Sequence, residues 1–327
     1  MSGHIYPRRE FFLKINQSMR FFIILLIFIS CSPAKPEYLQ NVASFGRTTR
    51  QLSTAPGDLY QQISDFRHEL RLVRASVLFN GDSVISTLNR LMIYKKSFEE
   101  NVAVTYSACN IISTYAECLL SITDQRYVRA NGIETADLGL KLNNVISGFS
   151  INKNAKLPKT VGSFLGMVVT EIGSARIEKL QKKYLKEFID TGSVLVNTIS
   201  DYLVDVVGEN LNLELPLLDQ QFNDAMLQFY YNIEPYERKI EINHYDYLEK
   251  FNPLYLSMKE RLENLHRLQQ KTIIAMQNIK SAHAALQAAA DGNTVSDSTE
   301  EMKKLYNSMM DVNAVMKKFK QETTAFH

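Results

Sequence analysis

The chain has 327 residues, 45% of them hydrophobic and 22% charged, with 37 Lys and Arg against 35 Asp and Glu. Arg8, Arg9, Lys14, Arg20 and Glu10 all fall within residues 1–30, and the rest of the chain carries 33 basic against 34 acidic side chains, a formal charge near −1. That balance excludes binding of nucleic acid through a global basic field. The 13 Gly and 8 Pro together are about half of average usage, and neither residue occurs from Asp82 to Asn131 or from Leu254 to Asp291. Such runs are what long helices require.

In chain order, the first feature is MRFFIILLIFISCS, residues 19–32. Nine consecutive apolar residues, Phe21 to Ile29, follow a cationic flank and end in Ser30-Cys31. The run is far shorter than the roughly 20 residues that cross a bilayer as a helix, so it reads as an export signal that is removed. Translation from Met19 would leave Arg20 alone as the cationic flank. Phe28-Ile29-Ser30-Cys31 resembles the lipobox of bacterial lipoproteins, with Phe28 where that pattern has Leu. The resemblance covers these residues alone. It implies that Cys31 is lipidated on sulfur, becomes the mature N-terminus and holds the protein on a membrane of the cell envelope, periplasmic or surface-exposed, with palmitate-type chains. Ser32-Pro33-Ala34-Lys35-Pro36 reads as extended, so the expected division is a signal peptide at 1–30, the lipidated Cys and a tether at 31–53, and one helical body at 54–327.

From Leu59 a four-three apolar alternation (Leu59, Ile63, Phe66, Leu70, Val73, Val77) predicts an amphipathic helix. Asn80-Gly81-Asp82 predicts its end, through the left-handed conformation open to Asn and Gly, and a hairpin into the next helix. That helix carries Val84, Leu88, Leu91, Lys95, Phe98, Val102, Thr105, Cys109, Ile112, Ala116 and Leu119 in the same alternation. Cys109 and Cys118 lie within it, and nine residues of helix rise about 13.5 Å and turn about 900°, which places the thiols on opposite faces. They read as buried free thiols rather than a disulfide.

Residues 124–160 read as loop, short amphipathic helix (Leu138, Leu142, Val145 to Phe149) and loop. Residues 160–175 place Gly162, Gly166, Thr170 and Ser174 four apart, a spacing that permits close helix contact. Tight packing is one reading, and a membrane-inserting element of the kind found in helical pore-forming toxins is the other. Arg176, Lys179, Lys182, Lys183 and Lys186 follow, as a solvated face or a headgroup contact. Apolar spacing resumes over 193–234, bent or broken at Gly208 and Pro216. Eight aromatics then crowd between Phe229 and Tyr255, as core packing at a helix turn or as a partner or glycan surface, and Lys239-Ile240-Glu241-Ile242 alternates in a strand-like way. Asn252-Pro253 reads as the cap and first turn of a long helix with the seam Tyr255, Met258, Leu262, Leu265, Gln269, Thr272, Met276, Ile279, His283 and Leu286. Asp291-Gly292-Asn293 ends it, and Ser296 or Asp297 opens a last helix with Leu305, Met309, Val312, Met316 and Phe319.

Motifs for chemistry are absent: no G-x-G-x-x-G, Walker A, G-x-S-x-G, H-E-x-x-H or C-x-x-C. Of the S-x-x-K matches, Ser32 to Lys35 lies in the proline-rich tether and Ser150 to Lys153 in an expected loop. His68, His244, His266, His283 and His327 are never three or four apart, so no preformed helical metal pair is expected, and His283 reads as a satisfied core histidine. The expectation is an all-α protein, an elongated antiparallel helical bundle with long coiled-coil-like helices. It would act without enzymatic chemistry, cofactor or metal, as an interaction or structural module anchored through Cys31 that contacts an envelope protein. A membrane-active protein inserting residues 160–175 and an envelope enzyme without a recognisable motif are the alternatives.

Overall fold

The apolar alternation that starts at Leu59 extends backwards in unbroken register: Pro56, Leu52, Thr49, Phe45, Val42 and Tyr38 occupy the earlier positions, and all are buried. The computed structural model describes residues 36–78, 81–123, 135–153, 157–158, 161–164, 177–239, 244–292 and 295–324. In it the stripe belongs to two successive helices, α1 (Pro36–Leu52) and α2 (Ala55–Ser76), separated by the turn Ser53-Thr54. The tether expected over 31–53 is therefore helical from Pro36 onward. Pro36 serves as a first-turn proline, where a missing N–H is harmless, with Glu37 beside it in the first turn and Arg50 in the last, each complementing the helix dipole.

The other elements are α3 (Gly81–Thr123), α4 (Thr135–Lys153), α5 (Ile177–Asp205), a π-helical turn Val206–Asn210, α6 (Leu211–Lys239), α7 (His244–Ala290) and α8 (Val295–Thr324). No strand occurs among the described residues, and the protein is all-α. Gly81 opens α3 as an ordinary helical residue; among the described residues only Gly292, after α7, takes a positive φ, at 101°. The cap expected at Asn252-Pro253 is also displaced, because α7 starts at His244 and runs through Pro253. Phe251 and Tyr255, on either side of that proline, stack on each other and on Phe229 and Phe222, so tertiary packing outweighs the local penalty.

Contacts fix the directions of the rods. Along α1 and α2, Phe45 meets His283 while Phe66 and Glu69 meet Arg261, so this pair runs antiparallel to α7. Asp190, Asp201, Asp219 and Phe229 meet Gln287, Lys280, His266 and Phe251 in turn, so α5 and α6 form one long rod, also antiparallel to α7. Helix α3 descends beside α1 and α2 (Tyr106 to Asp58, Glu117 to Arg50), and α8 pairs with α7 through Lys271 to Asp311 and Asn278 to Ser308. The result is an antiparallel bundle in which α7 alone, 47 residues, is about 70 Å long. The N-terminal rod is its axis: α1 packs on α3, α7 and α8, and α2 on α3, α6 and α7.

The π turn explains one polar residue on an otherwise apolar seam. The Gln269 amide donates to Val207 O and to Asn212 Oδ1, each at 3.0 Å, and the Tyr60 hydroxyl donates to Val206 O at 2.8 Å. The widened turn thus has its carbonyls capped by side chains of α7 and α2.

Candidate functional site

Cys31 and residues 1–30 lie outside the described residues, as does His327; Cys31 stands five positions before the start of α1. Of residues 160–175, only 161–164 are described: Val161 is buried, and Phe164 stacks on Phe188 and meets Tyr184 at a tilt, both of α5. A Cβ at Gly162 would lie 2.3 Å from Gly139 O of α4, so this glycine permits backbone contact. Gly166, Thr170, Ser174 and Arg176 lie outside the described residues, as do the side chains of Lys179 and Lys182. Lys183 pairs with Glu187 at 3.9 Å and Lys186 with Asp291 at 2.5 Å. Among the described residues no helix is long and apolar enough to cross a membrane.

A polar centre lies deep in the bundle. The Tyr115 hydroxyl of α3 and His283 Nε2 of α7 are hydrogen-bonded at 2.7 Å, Tyr115 stacks on Phe188 at 5.1 Å, and Phe45 meets the imidazole edge-on at 5.7 Å. Gly192 of α5 makes room, since a Cβ there would sit 2.4 Å from the Tyr115 ring. Burial lowers the His283 pKa to about 4 and raises that of Tyr115 well above the usual phenol range. Tyr115 is 0% and His283 1% exposed, so the pair is a packing device rather than a place for substrate.

The thiols are equally closed. Cys109 and Cys118 are free and buried, burial pushes the Cys109 pKa up to about 12 and raises that of Cys118, and Cys118 Sγ donates to Leu138 O at 3.8 Å. Protonated, buried thiols are poor nucleophiles. Ser150 to Lys153 belong to the last turn of α4 and not to a loop. His266 meets Asp219 at 3.0 Å on the surface, and among the described residues no group of three His, Cys, Asp or Glu is placed to hold a metal ion. The aromatic crowd at the α6–α7 turn is mainly internal packing, through Phe229, Tyr230, Phe251 and Tyr255, although Tyr231 and Tyr245 are exposed. Ile240 to Ile242 and the side chains of Tyr236 and Tyr247 are outside the described residues.

The concave site is elsewhere. A cleft of about 760 Å³ opens where the C-terminal end of α2, the N-terminal end of α3 and the second half of α6 converge. Each helix supplies one stripe: Leu70, Arg71, Arg74 with Leu78; Asp82, Ser83, Ser86, Thr87 and Arg90; Gln221, Ala225, Gln228 and Asn232. These are the three- and four-residue steps that keep side chains on one helical face. Leu70 and Ala225 are buried at its floor. Three guanidiniums and one carboxylate make its lining cationic, and the amides and hydroxyls add hydrogen-bonding groups around them. Arg90 Nη2 donates to Ser86 Oγ at 3.2 Å, and no carboxylate among the described residues pairs with Arg74 or Arg90. The volume is that of a ligand site. No family model, curated protein or solved structure matches this chain.

Sequence reasoning did not find this cleft. Its signal is the α2–α3 hairpin: Tyr106 opposite Asp58 sets a register in which Arg74 faces Arg90 across the turn.

Proposed function

We propose that this protein is a lipoprotein of the bacterial cell envelope, held to a membrane by acylated Cys31, whose helical body is a non-enzymatic contact module. The observation that carries the reading is the position of Cys31, directly after the apolar run and Ser30. The start of α1 five positions later supports it: five residues reach at most about 18 Å, so the N-terminal end of the bundle would stand close to the bilayer. The membrane-active alternative draws on residues 160–175, whose described beginning is packed against α4 and α5.

Cys31→Ser is expected to move the protein from the washed membrane fraction to the soluble fraction and to abolish incorporation of labelled fatty acid. A variant that stays on membranes through a high-salt wash, still carrying label, would reject the anchor assignment.

A further inference from the structure

Helix α6 is apolar on two opposite faces. Leu215, Leu218, Phe222 and Met226 point into the bundle and are buried, whereas Leu213, Leu217, Leu227 and Tyr231 stand in water, between 45% and 78% exposed. At about 100° per residue these four lie within an arc of about 80° on the side away from the core, and Gln220 and Asp224, both exposed, fall in the same arc between them. A helix at the surface of a globular protein ordinarily keeps that side polar. Here the six residues make a continuous four-three seam about 27 Å long, the spacing of a helix that pairs with another helix.

The seam reads the same from either end. About Phe222 as centre, Leu213 mirrors Tyr231, Leu217 mirrors Leu227 and Gln220 mirrors Asp224, in the order apolar, apolar, polar, polar, apolar, apolar. In an antiparallel helix pair, a residue that begins a four-residue step meets one that ends such a step on the other helix, and the mirrored residues are those pairs. A second α6 laid antiparallel about a two-fold axis at Phe222 therefore sets Leu213 against Tyr231, Leu217 against Leu227, and the Gln220 amide, a donor, against the Asp224 carboxylate, each contact occurring twice. A copy laid parallel in register would oppose Asp224 to Asp224, like charge to like. The flanking positions Pro216, Gln221, Asn223, Gln228 and Tyr230 carry no charge, and Glu214, which does, is paired with Arg67. A foreign helix imposes no mirror order on the seam it meets, whereas a second copy of the same seam requires one.

We propose that two copies of this chain associate through the outer face of α6, antiparallel about a two-fold axis at Phe222. This self-pairing is independent of Cys31 and goes beyond contact with a different envelope protein.

The test uses two preparations of the full-length protein with tags of different length, one carrying Leu217→Cys and the other Leu227→Cys, mixed in mild detergent at high micromolar concentration and oxidised in air with a copper catalyst. The expected product is a mixed disulfide, in at least about tenfold excess over the disulfide that either variant forms with its own kind, because like positions lie about 15 Å apart along the paired helices, beyond the reach of a disulfide. The wild type, treated alike, gives the background from its own cysteines. Energy transfer between fluorophores on the tags supplies a second readout. Gln220→Lys, which sets an ammonium against the Asp224 carboxylate, is expected to tighten association, and Gln220→Lys/Asp224→Lys, which opposes two ammonium groups, to weaken it at least about tenfold. Both positions are exposed, and an unchanged thermal melt of the double variant shows that its fold is kept. Three outcomes would overturn the proposal: no energy transfer at high micromolar protein, which would give the seam to a helix of a different protein; like-with-like disulfides as abundant as mixed ones, which marks random collision or a parallel pair; or equal association of the wild type and Gln220→Lys/Asp224→Lys. Each leaves the Cys31→Ser fractionation, and with it the anchor, untouched.

Discussion

Burial holds the His283 imidazole neutral, with a pKa lowered to about 4, whereas in the unfolded chain it titrates near about 6.5. Between those values the unfolded chain takes up the proton more readily than the native one. The contribution of this residue to stability is therefore complete above about pH 6.5 and is lost as the pH falls towards 4. In urea melts at pH 7 and pH 4.5 the wild type is expected to lose about 2 to 3 kcal/mol more than His283→Gln, which offers Tyr115 a hydrogen-bonding partner that does not titrate. Equal losses in both proteins would mean that the imidazole is hydrated in the native state. Gln269, on the same seam, shows what sequence alone withholds. Its place in the alternation was legible, but its partner, the π turn, depends on a bulge that no residue pattern announces, since Gly208 is as compatible with a break as with a widened turn.

At the scale of elements, the stripe of α3 is uniform in sequence and divided in space. Val102, Thr105, Cys109, Ile112, Ala116 and Leu119 are buried, Phe98 is half-buried between Tyr60 and Arg67, and Leu88 is 38% exposed. Ile112→Ala is expected to destabilise the protein by about 2 to 5 kcal/mol and Leu88→Ala by under about 0.5, as read from chemical denaturation. Comparable losses would mean that the beginning of α3 is covered by another element. Periodicity therefore gave the long helices after α1 and their inward faces, including the hairpin after α2 and the stop at Gly292, but not α1 itself. It could not say where a stripe outruns its partners, because burial is decided by the neighbours and not by the stripe. Pro36 and Pro253 misled for a related reason: proline is compatible with a tether, a first turn or a braced interior, and only packing chooses among them.

For the whole molecule, the N-terminal rod decides cohesion. A full-length chain lacking only residues 36–52 is expected to lose its cooperative thermal transition, because α1 fills the space between α3, α7 and α8. A tether would have left that transition unchanged. The same arrangement sets an order of events during synthesis. Asn41 donates to Ser298 at 2.9 Å across 257 residues of sequence. At a ribosome speed of about 5 to 20 residues per second, the helix made first waits roughly 13 to 50 s for the helix that covers it. Within that interval α3 and then α7 are made, so α1 meets its partners in succession and α8 comes last. One face of the future axis therefore stays uncovered until translation is nearly complete, whatever α3 and α7 have already closed.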